Sequence, residues 1–359
     1  MAVRVGILGA GFIGRIHALD LRADPRVRLV GVADTVAPVA ARLASEVGTT
    51  AYPSLDDLMG AGVDALYVCT PNTLHVEPVV RALDAGLHVF SEKPMATSLA
   101  GARQIRDAAA RARGVYQLGF NRRFSNVYSF AKRLIEDGRI TPYEAQMKHN
   151  RGELQQPPWT GDPSVTGGYL YETPVHLFDM ARFLFGDVTA MQGWARRSVY
   201  QEPDGFIVLL RFTSGVIASL TSVAHTSWLF PYERVEVYGA HQTIVTEELE
   251  RAWFSPGMRE QVEALDCFQM PFERKWGYVA EDRLFIDAVL GERAPAVTAE
   301  DGYRATELVE ACYQAVREER LITLPLAEPL HAEGGPRGGT PRVRPPSGPE
   351  DDVHTRSSH

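Results

Sequence analysis

Cysteine is scarce. The chain has three in 359 residues, Cys69, Cys267 and Cys312, widely separated and with no CxxC pair. That spacing indicates neither a disulfide framework nor a structural zinc site. Long hydrophobic runs are missing too: no stretch of about 18 apolar residues is available to cross a bilayer. Positive charge is not in excess, with 37 Lys and Arg against 45 Asp and Glu and a formal net charge of −8. The electrostatic footprint of a general nucleic-acid binder is therefore lacking. No internal repeat is evident, which argues against a solenoid or propeller. The opening MAVRVGILGAG carries no basic segment ahead of a cleavable apolar one, so a cytoplasmic, reducing environment is expected.

What is present is a globular composition, 45% hydrophobic and 23% charged, and enough chain for two domains of roughly 100–200 residues each. Up to about residue 122, short β-branched runs alternate with helical patterns. Val3–Leu8, Val27–Ala33, Ala65–Thr70, His88–Ser91 and Val115–Phe120 read as strands. Phe12–Ala23, Val36–Val47, His75–Ala85 and Ser98–Arg113 read as helices, with Gly86 and Gly114 as C-terminal caps. Strands separated by helices predict right-handed crossovers and a doubly wound, mostly parallel sheet: an α/β Rossmann domain over 1–122.

The pattern then changes. After a helix at Phe124–Asp137, the strand-like runs Glu144–Asn150, Val188–Arg196, Phe206–Phe212, Val216–Val223, Arg234–Tyr238 and Thr243–Thr246 are mostly joined by short turns. Helices are expected at Pro174–Phe185, Gly277–Leu290 and Ala299–Glu318. This predicts an α+β domain over 123–327 with a large, mainly antiparallel open sheet. Residues 328–359 hold five glycines, six prolines and no aromatic, and read as a disordered tail.

Gly9-Ala10-Gly11-Phe12-Ile13-Gly14 is a GxGxxG sequence between a strand and a helix. Gly9 permits the turn, Gly11 admits a pyrophosphate, Gly14 lets helix and strand pack closely, and the helix start at Phe12 and Ile13 offers N–H donors. Asp34, at the end of the second strand, supplies the carboxylate expected for ribose hydroxyls. It would repel a 2′-phosphate and no arginine follows it, so NAD is favoured over NADP. Arg15 is the one nearby cation able to reach such a phosphate.

Three further stretches complete the reading: Cys69-Thr70-Pro71-Asn72-Thr73-Leu74-His75, Ser91-Glu92-Lys93-Pro94, and Gly167-Gly168 followed by Glu172, Thr173, Pro174, His176 and Asp179. With GILGAGFIGRIHA they resemble the glucose–fructose oxidoreductase/inositol dehydrogenase (Gfo/Idh/MocA) family over about residues 1–325. The resemblance implies a Rossmann domain and an open-sheet domain with a sugar or cyclitol between them. It implies that Lys93 bonds the reacting oxygen beside the nicotinamide, with a Lys93–Pro94 peptide that is often cis. His176 would be the acid/base, with Glu172 and Asp179 orienting. Glu92 lies in the same motif, and Thr70, Pro71, Asn72 and His75 would line the cofactor.

Oxidising a secondary alcohol needs those functions: an imidazole able to exchange a proton near neutrality and an ammonium to stabilise developing alkoxide charge. Glu172 stands where inositol-oxidising relatives commonly have aspartate. Thr173 fits a helix cap with Pro174 as the first helical residue. That places Glu172 before the helix, so a metal site of Glu172, His176 and Asp179 on one helix face is not expected. Asn121, Arg122, Arg123, His149, Arg151, Trp159 and Tyr232 are candidates for the polar and stacking wall of a sugar pocket.

The expected activity is an NAD-dependent dehydrogenase for a secondary hydroxyl of a cyclic polyol. The alternatives are an NADP(H)-dependent ketosugar reductase and a non-catalytic dinucleotide-sensing regulator. No membrane or nucleic-acid partner is expected. A homodimer or homotetramer would cover the open sheet.

Overall fold

Two sheets organise the chain in the computed structural model, which describes residues 2–152, 158–227 and 232–327. The predicted tail lies outside the described residues.

The first sheet contains β1 (Val3–Leu8), β2 (Val27–Ala33), β3 (Thr50–Tyr52), β4 (Ala65–Val68), β5 (His88–Glu92) and β6 (Tyr116–Gly119). Its order is β3-β2-β1-β4-β5-β6 and every pairing is parallel. The order reverses direction beside β1, and the crevice at that switch point is where such sheets bind ligands. The crossovers carry α1 (Phe12–Ala23), α2 (Ala37–Val47), α3 (Leu55–Gly60), α4 (Val76–Asp84) and α5 (Leu99–Arg111). β4 is buried at all four residues, as a strand covered on both faces must be.

Gly86 takes a left-handed conformation (φ +83°) just after α4. Gly114 does not: α5 ends at Arg111 with Ala112 as its cap, and a Cβ on Gly114 would lie 2.0 Å from the Leu87 carbonyl oxygen. Close backbone approach, not capping, requires that glycine.

After α6 (Asn126–Glu136) comes the second sheet: β7 (Glu144–His149), β8 (Val188–Arg196), β9 (Gly205–Phe212), β10 (Ile217–Val223), β11 (Glu233–Tyr238), β12 (Thr243–Glu247), β13 (Arg251–Ser255), β14 (Glu263–Asp266) and β15 (Ile322–Thr323). Its order is β14-β13-β12-β11-β7-β10-β9-β8-β15. Pairing is antiparallel except between β7 and β10.

Strand alternation splits the sheet into two faces. In β9, Phe206, Val208, Leu210 and Phe212 are buried, whereas Ile207 and Leu209 point outward. Each inward side chain contributes about 1.5–3 kcal/mol of burial. The outer face keeps Trp194, Ile207, Leu209, Ile217 and Leu321 exposed.

Short helices α7 (Pro163–Thr166) and α8 (Tyr169–Glu172) lead into α9 (Val175–Phe185), which is buried along almost its whole length. A one-turn helix, α10 (Phe272–Lys275), precedes α11 (Tyr278–Val289) and α12 (Ala299–Glu318). Phe285 and Ile286 of α11 share a core with Val3, Val5, Ile7, Tyr67 and Phe90 of the first sheet. The last third of the chain thus returns to complete the first sheet's packing.

Candidate active site

The glycine turn is built by sterics. Gly9 sits at φ +99°, where a Cβ would lie 2.4 Å from the Cys69 carbonyl oxygen. On Gly14 a Cβ would come 2.0 Å from the Gly9 carbonyl oxygen. On Gly11 it would meet nothing within 4 Å. Gly11 caps α1 with no side-chain bond, which leaves the first-turn N–H groups of Phe12 and Ile13 for a ligand. A turn closed on the protein side and open on the solvent side fits a dinucleotide pyrophosphate.

Asp34 accepts from the Ala10 N–H (2.8 Å) and the Val36 N–H (2.8 Å). One carboxylate thus ties the glycine turn to the end of β2, and its remaining lone pairs suit ribose hydroxyls. Arg15 is engaged by Glu46, with Nε at 2.9 Å and Nη2 at 2.5 Å. It is not a free phosphate ligand.

The Thr70–His75 loop and the Lys93–Pro94 turn are joined by His75, whose ring nitrogens face the Pro94 oxygen (2.7 Å) and the Thr70 oxygen (2.8 Å). His75 is wholly buried. Its side chain is thus engaged in holding these two loops together. Buried Asn72 donates to the Thr166 oxygen at 3.1 Å, so its amide is likewise spent on the protein. Glu92 also turns inward, toward His17 and the Lys93 N–H. The Lys93–Pro94 peptide is cis.

The Lys93 ammonium donates to the Glu172 carbonyl oxygen at 3.0 Å. The Glu172 carboxylate accepts from Arg151 (3.0 Å) and from the Thr173 hydroxyl (2.5 Å). Burial acts to raise the Glu172 carboxyl, but Lys93, Arg151 and Thr173 outweigh it and hold it below its ordinary value. Thr173 closes α8 at its C-terminal end and is not the N-terminal cap of α9. Pro174 occupies that position and α9 begins at Val175.

His176 lies in the first turn of α9, buried, with Nδ1 lacking any hydrogen-bond partner. Burial, together with the Arg122, Lys93 and His149 charges, pushes its imidazole well below the ordinary value, so it is neutral at pH 7. The His149 ring lies 6.3 Å from it, centroid to centroid. His149 Nε2 faces Arg122 Nη2 at 3.2 Å. Arginine only donates, which puts the His149 proton on Nδ1 when the ring is neutral. That Nδ1 is buried and unpartnered too. Two unsatisfied imidazole nitrogens on neighbouring buried rings are donors or acceptors that a polyhydroxylated ligand could satisfy.

Several expected pocket residues are committed elsewhere. Asp179 does not meet His176. Both its oxygens accept from Arg123, at 2.9 and 2.6 Å, in a buried pair. Arg122 donates Nε to Glu233 (3.0 and 3.2 Å), and Tyr128 donates to the same carboxylate at 2.8 Å. Asn121 donates to the Trp276 oxygen at 2.9 Å. Tyr232 packs its ring 6.3 Å from His149, whereas Trp159 is 45% exposed on the turn Pro158–Gly161.

Glu172, His176 and Asp179 do not converge as metal ligands. Among the described residues, the cluster whose ligand atoms do converge is His17, Glu92 and Glu281. Sequence reasoning passed over His17. Its signal was a lone histidine on the apolar side of α1, directly after the glycine turn.

Residues 3–120 match the model described as "Oxidoreductase family, NAD-binding Rossmann fold", and residues 132–324 the model of the same family's C-terminal alpha/beta domain. The chain is 29% identical to the inositol 2-dehydrogenase of Rhizobium meliloti (strain 1021), covering 90% of this chain and 100% of that one. It is 27% identical to the myo-inositol 2-dehydrogenase of Thermotoga maritima, covering 90% and 98%. Among solved structures, a putative myo-inositol dehydrogenase from Sinorhizobium meliloti 1021 has TM-score 0.78 at 27% identity, over 90% of this chain and 100% of that one. GenD2 from gentamicin A biosynthesis, in complex with NAD, has TM-score 0.77 at 26% identity, over 90% and 96%. With both of its parts matched, the chain belongs to the Gfo/Idh/MocA oxidoreductase family, whose Rossmann fold binds NAD.

Proposed function

We propose that this protein is an NAD-dependent dehydrogenase for a secondary hydroxyl of a cyclic polyol, an inositol or a related sugar. The observation that carries the reading is the buried His176 imidazole with its Nδ1 unpartnered, its basicity lowered by burial and by the Arg122 and Lys93 charges. NAD, when bound, supplies the two-electron acceptor. The glycine turn and the Phe12 and Ile13 N–H groups hold its phosphates, and Asp34 takes the ribose hydroxyls. His176 accepts the hydroxyl proton. Lys93 stabilises charge developing on the same oxygen, a contribution of the kind worth several kcal/mol at a buried site. The Arg151–Glu172 pair and His149 bind neighbouring hydroxyls. The family resemblance of the Lys93 and His176 motifs supports the same roles.

The test is NAD reduction at 340 nm with a panel of inositols, hexoses and aminocyclitols. Turnover of a cyclic polyol, lost in Lys93→Ala and His176→Ala while NADH binding persists, is expected. No turnover in either direction, with NADH still bound, would favour a sensor. Turnover only from a ketosugar with NADPH would reverse both the direction and the cofactor preference.

The exposed apolar face of the second sheet supports assembly of two or four copies through that face.

A further inference from the structure

A buried chain of polar groups runs behind the lysine, separate from the polyol pocket. His17 of α1 is completely buried. Its Nδ1 is 2.8 Å from Asp282 Oδ1 and its Nε2 is 3.2 Å from Glu92 Oε1. The other Glu92 oxygen accepts the Lys93 N–H at 3.1 Å. Asp282, His17, Glu92 and the Lys93 main chain are thus linked in series across α11, α1 and β5.

The surroundings bear directly on the charge state of the ring. A neutral imidazole has one N–H and satisfies one carboxylate; His17 faces two, and only the doubly protonated ring donates to both. Aromatic rings enclose it: Phe90 at 5.0 Å, Tyr67 at 5.3 Å and Tyr278 at 5.8 Å between centroids. That enclosure keeps water from the ring and by itself opposes a charge, and the Asp282 and Glu92 carboxylates are what outweigh it.

Glu281, also fully buried, places a carboxylate oxygen within 4.8 Å of the His17 and Glu92 ligand atoms, and neither of its oxygens has a partner. Every titratable neighbour matters here. Asp20 is on the same helix, Tyr67 and Cys69 lie on or just beyond β4, Glu92 is on β5, and Tyr278, Glu281 and Asp282 are on α11. All but His17 are acids. An ionised Glu281 would add a third carboxylate to one imidazolium in a dry core, a cost that a proton removes.

We propose that Asp282, doubly protonated His17 and Glu92 form a positioning chain that fixes Lys93 at the reacting oxygen, with Glu281 held as a neutral acid beside it. His17 is a positioning residue, since it touches neither reacting atom. The inference rests on the role given to Lys93 above, and the controls separate the two. An active Lys93→Ala variant would remove that role.

If Lys93 is required, His17→Gln decides the rest. Expected is a kcat lowered tenfold or more, with the NADH dissociation constant, read by fluorescence, changed less than twofold. Unchanged kcat, or equal losses in kcat and NADH binding, would overturn positioning. A readout independent of turnover is ¹⁵N NMR of the full chain labelled at histidine, with His17 assigned by its absence in His17→Gln. Both ring nitrogens should be protonated at pH 8, and a single-tautomer signal would overturn the charge state. Glu281→Gln, a neutral amide for a neutral acid, should leave the thermal midpoint within a few degrees. Stoichiometric divalent metal in the purified protein, or a collapse of the Glu281→Gln midpoint, would overturn the neutral-acid assignment.

Discussion

Lys93 reaches Glu172 through the main chain: its ammonium donates to the Glu172 carbonyl oxygen at 3.0 Å, and the carboxylate of the same residue turns to Arg151 and Thr173. The lysine's hydrogen bond therefore does not depend on the acid at that site. Glu172→Gln should leave Lys93 in place and act on the pocket wall. We expect a KM for the polyol raised about tenfold or more, with a smaller change in kcat, because a charged hydrogen-bond partner of Arg151 is worth about 1.5–3 kcal/mol. Lys93→Ala, by contrast, should act mainly on kcat. Steady-state kinetics of the two variants side by side check this.

The pH profile follows from His176. Burial and the neighbouring cations lower its imidazole well below the ordinary value of about 6.5. The group must be neutral to accept a proton, so a depressed value keeps the base active to lower pH. The kcat/KM for oxidation should not halve near pH 6.5, and its acid limb should appear well below that. An acid limb centred at 6.5 or above would contradict the described environment.

Asp179 and Arg123 form a buried pair, with Asp301 accepting a third bond from the same guanidinium at 3.1 Å. Arg123→Leu strands Asp179 in the core and should cost about 3–5 kcal/mol in denaturant unfolding. The double variant Arg123→Leu/Asp179→Leu should recover part of that loss. If Asp179 instead served mainly the polyol, Asp179→Leu would raise KM with little effect on stability.

Gly9 and Gly11 should separate folding from binding. Gly9→Ala meets the Cys69 carbonyl at a positive φ and should lower the thermal midpoint by several degrees or prevent folding. Gly11→Ala has open space around it and should keep its midpoint within about 2 °C. Its methyl would stand where the pyrophosphate approaches, so NADH binding by fluorescence titration should weaken tenfold or more.

Assembly can be tested on the outer face of the second sheet. Leu209, 50% exposed between Ile207 and Arg211, points away from the core. Leu209→Asp should convert a dimer or tetramer to smaller species in light scattering, with the thermal midpoint of the monomer unchanged. A wild-type chain that runs as a monomer would refute the assembly directly.

The elements most legible in the sequence were those whose burial is repetitive. β1, β2, β4, β5 and β6 carry β-branched or aromatic runs, and β9 alternates cleanly, so periodicity located them. β3 and α3 escaped because a strand of three residues and a helix of six, capped by Ser54, are too short to show a period. β13 and β14 have mixed polarity near the sheet edge and gave no clear signal.

Within the site, the family resemblance singled out Lys93, Glu172 and His176 together. What spacing does not encode is which charge each arginine meets: Arg122 pairs with Glu233 and Arg123 with Asp179, 111 and 56 residues away. Adjacent in sequence, these arginines serve different carboxylates, and only the fold distributes them. His17 was hidden for the same reason. Its partners Glu92 and Asp282 lie 75 and 265 residues downstream.

The return of α11 to the first sheet bears on how this enzyme can be re-engineered. A cofactor half cut at residue 122 and joined to another enzyme would leave behind Phe285 and Ile286, which fill the core beside Val5, Ile7, Tyr67 and Phe90. Each such vacancy removes burial worth about 1.5–3 kcal/mol, close to the margin of a whole domain's stability when several are lost. It would also strip Asp282 from His17. A chimera that carries residues 278–289 along with the nucleotide half keeps both the core and the charge partner, so the exchangeable module in this chain is discontinuous.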